Sequence, residues 1–472
     1  MEGTGAVLAT LVVYNALLIG VGLWAKDRNR DVADFYLAGR GLGAWVAAIS
    51  ASASSSSAWT LLGVSGAAYA WGLPALWLFP ATVGGFLINW VWVAPRLQRL
   101  AKEEGAVTLS AVVAPAGLGN SRCLILRIAA VIIVFCFIFY IASQFEAAGK
   151  AFESVFDLSK KTSILLGAVI VLAYTLLGGF WAVSVTDSVQ GMLMVVAAVV
   201  LPVAALMAIG GPADLIDGLR VVGMSGTSAN PTLFAGVTGL FFILGFFGIT
   251  INYPGQPHVV NRYMALKDER SLRQGRIIAI TWAVLVYAGM LTLGLCARVL
   301  YADLADFEQV LFKSAESLLP PVVAGIMLAA VLSAIMSTAD SQLLVAASAI
   351  SYDWHLADGK FATGLLRTRV TVVVVLILAT TLALLWRADI FSRVLFAWAA
   401  MGAAFGPILL VRLSGRSVSA GGTLAAMLSG FLLTVLISLF YATPGAVAER
   451  LLPFFVALAI AVTASKRHSA AT

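Results

Sequence analysis

Ser50-Ala-Ser-Ala-Ser-Ser-Ser-Ser57-Ala-Trp59 places six serines in eight residues inside a long apolar segment. A lipid-facing helix has no use for so many hydroxyls, which compete with the backbone for hydrogen bonds and lower helix propensity. Irregular backbone at membrane depth is tolerated only where it is buried in protein or lines a cavity. The stretch reads as a broken helix that lines a binding site.

The surroundings of this stretch fix the class. Of 472 residues, 61% are hydrophobic and 11% charged, against about 25% charged in a soluble domain. The chain is an all-α integral membrane protein, and its lipid bilayer is its first partner. Cys123, Cys136 and Cys296 form neither a disulfide framework nor a metal-ligand spacing. Three histidines, His258, His355 and His468, are too few for a multi-histidine metal site or relay. No phosphate loop, HExxH or G-x-S-x-G elbow is present. An ATP-driven pump and an enzyme are thereby excluded, leaving transport that follows an ion gradient or runs downhill.

Spans need about 20 apolar residues. Thirteen fit: 5–25, 43–72, 75–95, 124–149, 162–182, 189–210, 232–256, 274–299, 321–350, 369–386, 391–411, 419–441 and 447–465. The 5–25 run is too long for a signal-peptide core and is followed, not preceded, by basic residues, so it is expected to be a retained helix. With the N-terminus outside and the C-terminus cytoplasmic, 21 of 30 basic residues fall on the inner side, among them Arg40, Arg99, Arg262, Arg273 and Lys466. That asymmetry accounts for the net charge of +7 as a topology signal, with no nucleic-acid partner.

Two spans are interrupted. The second carries the serine run, and the seventh carries Gly248-Ile-Thr-Ile-Asn-Tyr-Pro-Gly-Gln-Pro257, where each proline removes a backbone donor. They are five spans apart, so they open two five-helix units that enter the membrane from opposite sides. Paired interrupted helices in an inverted repeat point to a transporter site. The expected parts of this single transmembrane domain are an extra helix at 5–25, repeats at 43–210 and 232–411, and two final helices at 419–465.

The ninth span puts Ser333, Ser337, Asp340 and Ser341 on one helical face. An all-oxygen surface with a carboxylate suits a hard cation; a structural hydrogen-bonded network is the other reading. Asp187, near the inner end of the fifth span, could share a cation or a proton with Asp340. Glu146 and Lys150 are spaced as a helix ion pair. Tyr140 and Gln144 lie deeper on the same helix as candidate solute contacts.

These residues sit within pieces that resemble the sodium:solute symporter family, most closely the bacterial sodium/proline symporters. The pieces are Leu37-Ala-Gly-Arg-Gly-Leu-Gly-Ala-Trp45, Ile88-Asn-Trp90, Leu176-Leu-Gly-Gly-Phe180 with Thr186-Asp187, Gly255-Gln-Pro-His258, Met336-Ser-Thr338 and Ala397-Trp-Ala-Ala-Met-Gly-Ala-Ala-Phe-Gly-Pro407. The resemblance implies a LeuT-like fold and alternating access driven by Na+, the co-transported ion. It implies a sodium site at Ala53, Ser56, Ala334, Ser337 and Thr338. A possible second cation site falls on Asp187, Ser337, Asp340 and Ser341. Solute contacts map to Ser57, Ala58, Tyr140, Gln144, Ile249, Tyr253 and Pro257, and Arg40 maps to a gating position. Ile249 replaces a tryptophan that would wall the pocket, and Ser55 stands where those symporters carry an aspartate.

The expected function is sodium-coupled import of a small organic solute, an amino acid such as proline, across the plasma membrane by a multi-pass protein that works as a monomer. A monocarboxylate or vitamin as solute, and proton coupling through Asp187 and Asp340, are the alternatives.

Overall fold

The computed structural model describes residues 37–119, 121–156, 158–175, 180–224, 236–354, 365–386, 389–441, 443 and 446–467, with scattered positions between 5 and 24. The chain is a bundle of helices. The second span is α1 (Ala44–Ser55), a break at 56–58, a π-turn at Trp59–Gly63 and α2 (Val64–Trp71). Ser56 leaves the helix at φ −111°, ψ 62°. The third is helical from Leu73 to Glu103. Then come α3 (Ser121–Phe156), α4 (Lys160–Thr175), α5 (Phe180–Ile209) and a short α6 (Pro212–Met224).

The second interrupted span is α7 (Gly236–Asn252), a 3-10 turn at Tyr253–Gly255, an extended Gln256 and α8 (Pro257–Met264). Pro257 occupies the first turn of α8, the one helical site where a missing N–H costs nothing. After it run α9 (Glu269–Leu300), α10 (Pro321–Ser348), α11 (Leu365–Leu385), α12 (Ile390–Leu413), α13 (Ala420–Phe440) and α14 (Val447–Thr463). Side-chain caps start three of them: Asp268 accepts from Ser271 N, Asp389 from Ser392 N and Ser419 from Gly422 N. A two-stranded pair, Arg416–Val418 with Ser465–Arg467, ties the ends of α12 and α14.

Among the described residues nine helices are long and apolar enough to cross a membrane. The broken second span, the 16-residue α4 and the 17-residue α14 fall short by length. The first span lies largely outside the described residues, as do 176–179. Of the most apolar 18 residues, 89% are buried in Ile390–Leu413 and 78% in Pro321–Asp353, against 28% in Ala420–Phe440. The ninth and eleventh spans are therefore central, and the twelfth is peripheral.

The two breaks meet α10 and α12 at the centre. Gly255 is pressed against the eleventh span: a Cβ there would lie 2.7 Å from Gly402 Cα and 2.8 Å from Gly406 N. The approach requires glycine at 255, and Gly402 is needed for its own close packing, since a Cβ there would lie 2.2 Å from Asn252 Cβ.

Three expectations are corrected. Asp187 is not at the end of the fifth span, which is helical over Lys160–Thr175, but inside α5, the sixth, which begins at Phe180. Arg262 is not a loop residue but lies in α8, fully buried. Lys150 does not pair with Glu146. It reaches Asp306 at 2.5 Å and Glu308 at 2.6 Å, while Glu146 pairs with Lys160. Tertiary partners outweigh a local pair worth only tenths of a kcal/mol.

Candidate functional site

The first break exposes carbonyls that a continuous helix would consume. Ser337 Oγ donates to Ala53 O at 3.4 Å and lies 3.3 Å from Ala334 O. Thr338 Oγ1 donates to Ser54 O at 3.2 Å. All of these residues are buried. The structure thus gathers four of the five expected sodium positions, Ala53, Ala334, Ser337 and Thr338, and adds the Ser54 carbonyl. Ser56 lies at the break, with its hydroxyl 3.3 Å from Tyr287 Oη and its N–H on Ala53 O. Carbonyl and hydroxyl oxygens from two elements form a hard-oxygen set that suits an alkali cation. Hydrogen bonds of 3.2–3.4 Å are weak and cost little to exchange for ion–dipole contacts.

One turn along, Asp187 Oδ2 accepts from Ser50 Oγ at 2.7 Å, Ser54 Oγ at 3.1 Å and Arg262 Nη2 at 3.0 Å. Ser341 Oγ lies 3.0 Å from Ser54 Oγ and also accepts from Arg262 Nη2. The guanidinium packs over the Phe180 ring, 5.0 Å from its centroid. Of the second cation set, Asp187 and Ser341 come together, and a positive group already stands between them. Ser337 belongs to the first cluster. Asp340 is fully buried on the same helix. Ser333, at the far end of that face, is 2.7 Å from Tyr14 Oη, a contact the sequence did not suggest.

On the other side of the break, Tyr140 Oη donates to Ser57 Oγ at 3.4 Å. Tyr253 Oη donates to Ser55 Oγ at 2.8 Å. Gln144 Oε1 accepts from Ala58 N at 3.1 Å, so this amide caps the unwound backbone. The Tyr253 ring is edge-on to Phe86 at 5.2 Å and to Trp398 at 5.1 Å. Trp398 Nε1 donates to Ile249 O at 3.2 Å, so an indole from α12 lies against the position where a pocket tryptophan is replaced. Gln256 Nε2 donates to Asn252 O and Trp398 O, holding the second break to α12. Ser57, Ala58, Tyr140, Gln144, Ile249, Tyr253 and Pro257 thus surround the two breaks.

Two polar clusters flank the centre. Arg40, in a left-handed turn at φ 57°, donates to Ala101 O at 3.1 Å, Ala106 O at 2.8 Å and Met264 O at 3.4 Å. It bridges the end of the third span to the end of α8. At the opposite end, Glu308 accepts from Lys150 and from Phe391 N, the first turn of α12. Burial pushes the Glu308 carboxyl above its usual range, and the Lys150 ammonium opposes that shift.

Sequence reasoning missed Arg262, Tyr287 and Trp398 as site neighbours. Trp398 stood inside a quoted motif. Tyr287, which touches Ser56 and Thr60, carried no local signal.

The model of the sodium:solute symporter family matches residues 35–430. The chain is 34% identical over 437 residues to the osmoregulated proline transporter OpuE of Bacillus subtilis, covering 90% of this chain and 87% of that protein. It is 34% identical over 440 residues to sodium/proline symporter 2 of Staphylococcus saprophyticus, covering 90% and 84%. A Na+-coupled sialic acid symporter in a substrate-bound outward-open state superposes with a TM-score of 0.80 at 16% identity, over 98% of this chain and 99% of that one. MhsT in complex with L-phenylalanine gives 0.56 at 13%, over 89% and 98%. These likenesses to solved structures establish the LeuT-like fold.

Proposed function

The chain belongs to the sodium:solute symporter family, a family of membrane transporters, and on that premise we propose that it imports L-proline or a closely similar small amino acid with sodium by alternating access. The observation that carries this reading is one backbone break with two faces. Ala53 and Ser54 carbonyls meet the Ser337 and Thr338 hydroxyls on one face, and Ser55 and Ser57 meet Tyr253 and Tyr140 on the other. Sodium drawn to the first face fixes residues 53–56, and with them the hydroxyls offered to the solute. Freed carbonyls favour a cation while the helix starts at the breaks favour a carboxylate, which suits a zwitterion.

The Ile249 replacement and Gln144 are the features that suit a monocarboxylate or vitamin as solute, but the Gln144 amide is engaged by Ala58 N–H and Ser143. The guanidinium on Asp187 favours sodium over proton coupling, because it already compensates that carboxylate. Arg40 and the Asp187–Arg262 pair are read as closures of the cytoplasmic side. The 5–25 segment with the twelve spans above makes thirteen, N-terminus outside and C-terminus cytoplasmic. Residues 43–210 and 232–411 are the two repeats, and a monomer in the plasma membrane suffices.

Purified protein in liposomes tests this. Labelled L-proline should accumulate with an inward sodium gradient and not without one. Uptake indifferent to sodium, or uncompeted by unlabelled L-proline, overturns the reading.

A further inference from the structure

His258 is fully buried at the second position of α8, just past the break in the seventh span. Its ring is edge-on to Tyr140, centroids 5.9 Å apart, and to Trp398 at 6.3 Å. Phe137 closes a third side at 5.4 Å. Its carbonyl is engaged by Arg262 Nη1. Among the described residues neither ring nitrogen has a hydrogen-bond partner.

A neutral imidazole carries one N–H donor and one acceptor nitrogen, whichever tautomer it adopts. Leaving both buried and unpartnered is costly. The aromatic edges around it supply no acceptor, and the Tyr140 hydroxyl is turned to Ser57. A solute held at the neighbouring residues Tyr140 and Pro257 is placed to supply the missing partner. At the start of a helix the favoured entrant is an anion, because the helix dipole points that way, although Val259 N and Val260 N are already held by Gln256 O. We propose that a His258 ring N–H binds the carboxylate of the solute, making His258 a specificity-determining residue that selects amino acids over solutes lacking that group. This rests on reading the two breaks as the solute site.

The test compares L-proline with L-prolinamide, which keeps the ring and amine but lacks the carboxylate. Kd values come from thermal stabilisation of purified protein in sodium. His258→Phe should raise the Kd for L-proline about 10- to 100-fold, the loss of one buried hydrogen bond to a charged group. It should leave prolinamide affinity and the stabilisation by sodium alone within about twofold. His258→Gln, which keeps a donor, should recover much of the L-proline affinity. An L-proline Kd within about threefold of native in His258→Phe overturns the proposal. So does equal weakening of both ligands, which marks a packing role. If His258→Phe fails to accumulate, His258→Leu, which also lacks a donor, decides: selectivity for L-proline over prolinamide must narrow, and unchanged selectivity overturns it. Failure of the proline reading shows separately, as native protein that L-proline does not stabilise. The same pair of variants is then measured with the amino acid and amide that do.

Discussion

Asp187→Asn tests the proposed closure beside the proposed sodium set. Asparagine keeps the volume and an oxygen for Ser50 and Ser54, which lie 2.7 and 3.1 Å away. What it removes is the charge facing Arg262, whose side chain is 1% exposed. Removing one partner of a buried ion pair costs about 3–5 kcal/mol, because the survivor remains buried and uncompensated. The conformation with α1, α5 and α8 joined should therefore lose about two to three and a half powers of ten in population. Backbone hydrogen exchange reads this directly: amides of 258–264 and 44–55 should exchange faster in the variant. Asp187→Asn with Arg262→Gln removes both charges and should be less perturbed than Asp187→Asn alone, by about 1 kcal/mol or more. Unchanged exchange in the single variant refutes the closure. A double variant as damaged as the sum of the singles refutes the pairing as its cause.

Ser337→Ala and Thr338→Val each delete one oxygen of the proposed sodium set, and half-maximal sodium for uptake should rise about tenfold or more, roughly the 1.5–3 kcal/mol of a contact to a charged group. An unchanged sodium dependence in both would remove these hydroxyls from the site. Ser55→Ala deletes the acceptor for Tyr253 Oη and should weaken L-proline binding about 2- to 15-fold while sparing sodium binding, as measured by calorimetry. Gly255→Ala forces a methyl to within 2.7–2.8 Å of the Gly402 and Gly406 backbone, so thermal stability should fall by about 1–3 kcal/mol or more. Gly421→Ala, whose Cβ meets nothing within 4 Å, is the control that should not fall.

The breaks were legible because their causes are local. Six serines and two prolines act on their own backbone, wherever the chain goes afterwards. The class of the fold followed from composition, and the oxygen face of the ninth span from helical spacing. What escaped was set by distance along the chain. Arg262 was counted among loop charges because α8 is short and polar, below what a hydropathy window sees. Its partner Asp187 is 75 positions away, and Ser54 meets Ser341 across 287. No local pattern encodes such a meeting. The Glu146–Lys150 spacing misled for the same reason, since the loop carboxylates that captured Lys150 lie more than 150 residues on.

The serine run explains how an ion and a solute can be coupled without touching. Successive residues of a helix point about 100° apart, so four hydroxyls in a row would face four directions at fixed spacing. Ending the helix at Ser55 re-aims them. Ser54 goes to Asp187 and Ser341, Ser55 to Tyr253, Ser56 to Tyr287 and Ser57 to Tyr140. Four consecutive residues thereby hold α5 and α10, the second break, α9 and α3. Each hydroxyl contributes about 0.5–1.5 kcal/mol, too little to lock the site alone. Turning α1 moves the four together, and their sum is comparable to a coupling free energy of about 1–3 kcal/mol. On the proposed reading, sodium at the Ala53 and Ser54 carbonyls would bias this segment, and a solute at Ser57 would bias it the same way. The physical link between cation and solute is then three peptide units long, with no path through the rest of the bundle required.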